Sequence, residues 1–305
     1  MKNLSYYINK ALKNHFALGA INFTNLESLQ AIVSACKNLR SPAILAVSES
    51  SLKYMEEDYL ISMVKCAKKR HNPLFLHLDH GKDFEICKKA IDLGFDSVMI
   101  DGSSLPFDDN IALTKKVVDY AHKKNIIVEG ELGQLKGIED DVSSENHHFT
   151  DAKQAKIFVE KTNVDMLAVA IGTSHGAYKY SGKQTLRFDV LSEIEKQLPS
   201  FPLVLHGAST VDNGLIQQIN DNVGEINNAS GIPVNLLCEC VKNHNIIKIN
   251  TDTDLRLAMT AQIRTMFNND ASIIDPRKYL GEGREAIRQL VELKIKNIFF
   301  SDNQI

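Results

Sequence analysis

Eight short apolar runs, each followed by a longer segment of charged and apolar residues, limit how this chain can fold. The runs are 19–22, 42–47, 73–78, 97–100, 126–128, 166–171, 202–205 and 246–249. Most are apolar almost without interruption, as parallel strands covered on both faces require. The segments between them have helical character at 26–38, 58–69, 83–93, 108–123, 151–161 and 190–197. Thr24 and Asn25 are plausible caps for the first of these. Strand-then-helix repeats with no break in composition predict an α/β fold: one closed (β/α)8 barrel, a single domain over 1–305. The opening stretch, MKNLSYYINKALKNHFALGA, reads as an N-terminal helix. A doubly wound open sheet is the alternative, weakened because no G-x-G-x-x-G follows the first strand.

Charge and cysteine usage remove several function classes. Thirty-five basic residues against thirty-eight acidic ones leave a net charge of −3, so no basic excess points to nucleic acid or an anionic membrane. No apolar run reaches the 18 or so residues of a membrane helix. The N-terminus lacks the apolar stretch of a signal peptide. Five scattered cysteines without a C-x-x-C pair fit reduced thiols in a cytoplasmic protein. Cys238 and Cys240 form a lone C-x-C that lacks two further metal ligands. Two segments break the rhythm. The polar stretch 133–150 is too long for an ordinary βα connection and reads as a mobile lid loop. The Asn- and Gly-bearing stretch 211–232 reads as a second excursion.

In such a barrel, chemistry sits where strands end and βα loops begin. The strand ends here carry Asn22, Ser48, Asp79, His80, Asp101, Glu129, Glu131, His175, His206, Ser209, Asn250, Asp252 and Thr253. Three histidines on three strand ends point to a metal, since neutral imidazole suits Zn²⁺ and a catalytic zinc keeps three protein ligands. His15, His71, His122 and His244 fit ordinary structural roles. His77 and His80, three apart on one strand, should face opposite sides, so only one should reach the rim. Asp79 beside the metal is a candidate acid or base, and Asp101 and Glu131 could orient ligands or hold metal. Glu139 in the lid could enter on closure. The turns HGAYKYSGK, HGAS and NTDT bring backbone N–H groups, hydroxyls and Lys179 to the loops where barrels often bind phosphate. Arg256, one turn past Thr253, and Arg277, in a loop, could clamp a second phosphate.

The motifs HLDHG, VMIDGS, EGELGQLKGIED, AIGTSHGAYK, LHGAS and KINTDTDLR, in this order, resemble the class II, metal-dependent fructose-bisphosphate aldolases and their tagatose-bisphosphate relatives. The resemblance runs from about Ile21 to Arg277. It implies a (β/α)8 barrel, a homodimer or homotetramer, zinc, and an assisting monovalent cation (Na⁺ or K⁺). It assigns zinc to His80, His175 and His206, with Asp101 and Glu131 as auxiliary metal-position carboxylates. Asp79 resembles the residue that protonates the aldehyde oxygen in condensation and takes the hydroxyl proton in cleavage. Glu139 matches the base acting at the dihydroxyacetone-phosphate carbon. The ketose-side phosphate would lie on Gly176, Lys179, Gly207, Ser209, Asn250 and Thr253. Asn22 and Ser48 match substrate-contacting positions. The Asp252 and Arg256 pair looks fructose-type, and Arg277 resembles an arginine that reaches the second phosphate of a neighbouring subunit. His147, His148 and the SSEN stretch match no motif of the family.

The implied chemistry explains these residue types. Cleaving a β-hydroxy ketone leaves an enediolate, whose charge a Lewis acid stabilises, and two separate carboxylates handle the two protons. A lysine Schiff base is the rival. Lys248 is the one strand lysine available to it, and an outward, snorkelling side chain is the simpler expectation there. A zinc barrel hydrolase is disfavoured because the first strand, GAIN, has no histidine. A phosphosugar binder that has lost its chemistry is disfavoured because Asp79 and Glu139 are both retained.

Overall fold

The computed structural model describes the backbone of residues 2–134, 136–139, 142–144, 148–175 and 185–305, and the side chains of 2–134, 148–174 and 185–305. Eight parallel strands close into a barrel in sequential order. They are β1 (Leu18–Asn22), β2 (Ala43–Ser48), β3 (Leu74–Gly81), β4 (Ser97–Ile100), β5 (Ile127–Leu132), β6 (Met166–Val169), β7 (Leu203–Leu205) and β8 (Ile246–Thr251). All eight apolar runs of the sequence are present. β3, β5 and β8 extend beyond their apolar runs and carry polar residues within the strand itself.

The helices are α1 (Leu4–Asn14), α2 (Leu26–Leu39), α3 (Glu49–Met55), α4 (Glu57–Arg70), α5 (Phe84–Asp92), α6 (Phe107–Ala121), α7 (Ala152–Thr162), α8 (Phe188–Gln197), α9 (Asn213–Asp221), α10 (Val234–Asn243), α11 (Thr253–Asn269) and α12 (Pro276–Lys294). Several of their starts are set by side-chain caps. Asn25, not Thr24, caps α2, accepting from the Ser28 N–H while the Ser28 hydroxyl accepts from the Asn25 N–H. Asp83, Asp151 and Asp212 cap α5, α7 and α9, each accepting from a backbone N–H of the first turn. α9 fills part of the 211–232 excursion. Arg277, expected in a loop, lies in the first turn of α12, because Asp275 caps that helix and Pro276 opens it. None of the described helices is long and apolar enough to cross a membrane.

Two apolar layers follow from the two-residue period of the strands. Outward residues such as Ile21, Leu45, Leu76 and Val98 pack against the helices. Inward residues Leu18, Ala20, Ile44, Ala46, Phe75, Met166 and Val204 form an inner cluster, joined by Leu4, Tyr7, Ile8 and Ala11 of α1. Helix α1 therefore plugs the end where the strands begin, with Tyr7 against Phe75 at 5.7 Å between ring centroids. Along the first three strands the inward series turns polar towards the opposite rim: Leu18, Ala20, Asn22; Ile44, Ala46, Ser48; Phe75, His77, Asp79.

The polar segment after β5 departs from its expected form as an aperiodic loop. Lys136–Glu139 and Val142–Ser144 pair antiparallel, and Lys136–Glu139 runs parallel to Ser174–His175. A bridge between Gln134 and His148 closes the base. Backbone pairing needs no apolar period, so composition concealed it.

A buried ion pair ties the last helix to the rim. Asp254, in the first turn of α11, accepts from the backbone N–H groups of Thr210 (2.8 Å) and Val211 (2.7 Å), and Lys294 of α12 lies 2.6 Å from it. Burial alone would raise the Asp254 pKa, but Lys294 and the Thr210 and Val211 donors hold it below the ordinary carboxylate value. A depressed carboxylate contributes stability that is present above about pH 3.9 and lost as pH falls through the native value. We expect Lys294→Met to cost about 3–5 kcal/mol at neutral pH by leaving a buried charge unpaired. Urea midpoints should show that deficit shrinking below about pH 4, where Asp254 protonates.

Candidate active site

The rim opposite α1 gathers the polar residues that the strands deliver. Asp79 and His80 come from the end of β3, Asp101 follows β4, Glu131 lies on β5, His206 follows β7 and Asn250 lies on β8. Asp79, His80 and His206 are buried, and their donor atoms lie within 4.8 Å of one another. His80, Asp101 and Glu131 form a second such group sharing His80. The His80 and His206 rings meet edge to face at 4.6 Å.

Asp79 and His80 are neighbours in sequence, and a regular strand would send them to opposite faces. His80 has φ 49°, in the left-handed region, and the β3–β4 register shifts between Leu78 and Gly81. That local reversal brings His80 to the rim beside Asp79. It also corrects the expectation that His77 and His80 face opposite sides, although only the later of the two, His80, stands at the rim. His77 points into the barrel one layer below, with its Nδ1 2.8 Å from the Ser97 hydroxyl and its Nε2 3.7 Å from Glu129 Oε2. Burial pushes the His77 pKa down to about 3, so it is neutral.

Each ring is oriented by a carboxylate. His80 Nδ1 donates to Asp101 Oδ2 at 3.1 Å, and Glu131 Oε2 lies 3.7 Å from the same nitrogen. His206 Nε2 donates to Glu129 Oε1 at 2.7 Å. An ionised carboxylate only accepts, so each ring carries a proton on the nitrogen facing it, which leaves its other nitrogen as the one a metal could bind. Asp79 is gripped from both sides: Asn22 Nδ2 donates to Oδ2 and Asn250 Nδ2 to Oδ1, each at 2.8 Å.

The electrostatics favour a cation. Burial would lower the His80 pKa, but Asp101, Asp79 and Glu131 outweigh it and raise it well above the usual imidazole range. Burial and the nearby charge of Asp101 push Glu131 well above the usual carboxylate range. Glu131 Oε2 is buried with no hydrogen-bond partner among the described residues. The two groups, Asp79 with His80 and His206 and His80 with Asp101 and Glu131, each offer nitrogen and oxygen donors that suit a divalent ion such as zinc.

The remaining predicted residues fall into three groups. Gly207 (φ 60°) and Ser209 lie on the loop after β7; Asp252 and Thr253 open α11; Arg256 grips Asp252 through Nε–Oδ1 at 3.0 Å and Nη2–Oδ2 at 2.6 Å. Ser48 caps α3 at the end of β2. Arg277 is highly exposed and engages Asp275. For His175 and Glu139 only the backbone is described, and Gly176 and Lys179 lie outside the described residues, as does His147. A Cβ on Gly207 would lie 2.6 Å from the Ser174 carbonyl oxygen, so the His206–Gly207 turn sits directly against the backbone preceding His175.

Lys248 overturns its expected outward placement. It is fully buried and points into the barrel, 2.9 Å from Glu129 Oε2 and 2.7 Å from Asn250 Oδ1. The signal was present in the period-2 rule: Lys248 precedes Asn250 by two residues, as Glu129 precedes Glu131, so each shares the inward face of its rim partner.

A family profile described as fructose-bisphosphate aldolase class-II matches residues 2–304. A protein named fructose-bisphosphate aldolase from Treponema pallidum is 44% identical over 312 residues, covering 96% of this chain and 94% of its own. One of the same name from Giardia intestinalis is 44% identical over 297 residues, covering 96% and 91%. The crystal structure of the YdjI aldolase from Escherichia coli K12 superposes with a TM-score of 0.80 at 31% identity, covering 100% of this chain and 99% of that one.

Gly207 allows a direct check of how the rim is assembled. We expect Gly207→Ala to destabilise the fold by about 1–3 kcal/mol, from left-handed strain together with the close approach to Ser174. A fall in the thermal midpoint relative to the wild type measures it, and an unchanged midpoint would show that the two loops are not in contact.

Proposed function

This chain belongs to the class II fructose-bisphosphate aldolase family, and from that premise we propose that it cleaves fructose 1,6-bisphosphate reversibly to dihydroxyacetone phosphate and glyceraldehyde 3-phosphate. The observation that carries this reading is the buried cluster of Asp79, His80 and His206 at the rim. A proton carrier held by two amides stands there beside two carboxylate-oriented imidazoles.

His80 and His206 would hold zinc with His175, and the contact of Gly207 with the Ser174 backbone supports that third ligand. Asp101 and Glu131 would serve the auxiliary metal position, with sodium or potassium as an assisting monovalent ion. Bound zinc supplies Lewis acidity for the negative charge that builds on the ketose oxygens as the carbon–carbon bond breaks. Asp79 takes the proton of the hydroxyl on the aldehyde half in cleavage and returns it in condensation. Its two oxygens are engaged by Asn22 and Asn250, which suits a positioned acid–base group better than a metal ligand. Glu139, on the strand paired with Ser174–His175, would move the proton at the ketose carbon. Ser48 would touch the sugar hydroxyls. The loop at Gly207 and Ser209, the N-terminal turn of α11 with Asn250 and Thr253, and Gly176 and Lys179 would hold the ketose-side phosphate, since N–H groups at a helix start favour an anion.

The Asp252–Arg256 fork supports fructose over tagatose bisphosphate, as do relatives named for fructose bisphosphate. The high exposure of Arg277 supports its placement on the second phosphate of a neighbouring subunit in a homodimer or homotetramer. The whole would act in the cytoplasm, as one barrel domain over 1–305, in the glycolytic direction and its reverse.

A coupled assay of triose phosphate release tests this reading. Purified protein should cleave fructose 1,6-bisphosphate in preference to tagatose 1,6-bisphosphate, lose activity to a chelator and regain it with zinc. Tagatose preference would change the substrate alone; chelator-resistant cleavage by a metal-free sample would overturn the mechanism. Asp79→Ala should lower kcat about 10²–10⁴-fold with zinc still bound. Glu139→Ala should still bind substrate but exchange the ketose-carbon proton slowly, and unaltered exchange would remove Glu139 from the mechanism.

A further inference from the structure

Beneath the rim lies a buried ion pair that the reaction does not itself use. Glu129 and Lys248 have no solvent exposure and sit on β5 and β8, 119 residues apart in sequence. Taking both ions out of water is costly, and apolar residues of similar volume often serve stability as well. The contacts of the pair suggest what it does instead.

Lys248 Nζ reaches Glu129 Oε2 at 2.9 Å, Glu129 Oε1 at 3.2 Å and Asn250 Oδ1 at 2.7 Å. An ammonium only donates, so it forces the carbonyl end of the Asn250 amide towards itself. The NH₂ end then faces Asp79, and Nδ2 lies 2.8 Å from Asp79 Oδ1. On its other side Glu129 Oε1 accepts from His206 Nε2 at 2.7 Å, which puts the ring proton on Nε2 and turns Nδ1 towards the rim. One unbroken chain therefore runs His206, Glu129, Lys248, Asn250, Asp79, Asn22. Neutral His77 flanks Glu129 at 3.7 Å and is itself held by Ser97. With its Nζ held against Glu129 and Asn250 beneath the rim, Lys248 is not placed to attack a carbonyl.

We propose that Glu129 and Lys248 are the positioning residues of this centre: together they fix the tautomer and direction of His206 and the sense of the Asn250 amide, and through that amide the carboxylate of Asp79. The inference rests on the reading above that His206 ligates zinc and Asp79 carries the proton.

The test replaces the pair by apolar residues of similar size, E129L/K248M, alongside E129Q and the wild type. Zinc affinity is read by competition with a chromophoric chelator, and the His206 ring nitrogens by their ¹⁵N shifts in the metal-free protein, where no bound ion dictates the tautomer. The urea midpoint reports folding, and kcat is taken at saturating zinc. The double variant should keep a midpoint at or above that of the wild type yet bind zinc 10–100-fold more weakly. Its His206 shifts should show mixed tautomers, and its kcat should stay at least about tenfold low even when zinc saturates, because Asp79 is no longer aimed. E129Q keeps the volume and should weaken zinc binding in the same direction, so the proposal stays exposed if the double variant does not fold. Wild-type zinc affinity and a single His206 tautomer in either folded variant would make the pair merely structural and overturn the proposal. Full kcat at saturating zinc would overturn its Asp79 half. Failure of the wild type itself to bind zinc would overturn this inference together with the functional reading, whereas zinc-dependent cleavage by the wild type with unaltered variants overturns this inference alone.

Discussion

A lysine and a glutamate 2.9 Å apart in the dry centre of the barrel set the terms for what stands above them. Neither would persist there alone, because an unpaired buried ion costs far more than a paired one. Held together, they form a fixed dipolar floor. His206 and Asn250 are both set on that floor, and Asp79 is set on Asn250.

Below that floor the barrel is ordinary apolar core sealed by α1, and above it the inward residues are almost all polar. The same strands thus serve stability at one end and chemistry at the other, as the geometry of such barrels favours. The loops that complete the rim are anchored from outside the barrel as well. Asp254 joins the loop after β7 to the start of α11, and Lys294 carries that link to the last long helix.

The barrel was legible because nearly continuous apolar runs and their polar ends report directly on burial. His80, His206, Asp79 and their neighbours were found by reading outward from each strand, and Asp79, Asp101, Glu131 and Asn250 do converge with them. Lys248 was misread for a physical reason. A single lysine in the run IIKIN faces outward unless a buried carboxylate meets it, and the partner lies on a distant strand. His77 was misjudged because strict alternation was assumed through His80, whereas the chain turns left-handed there. The paired strands after β5 left no trace in composition, because main-chain hydrogen bonds hold them. Family motifs, not periodicity, carried the roles given to Glu139, Lys179 and Arg277.

The left-handed residue at His80 has a consequence for motion. It lets a carboxylate and an imidazole occupy consecutive positions while facing the same space. Their spacing is then governed by one peptide linkage, about 3.8 Å between Cα atoms, rather than by the docking of separate elements. Breathing of the barrel, or closure of a neighbouring segment, can shift other rim groups against this pair, but it leaves the pair itself almost undisturbed. The carboxylate and the imidazole are in effect riveted to each other, and the rest of the rim is free to adjust around them.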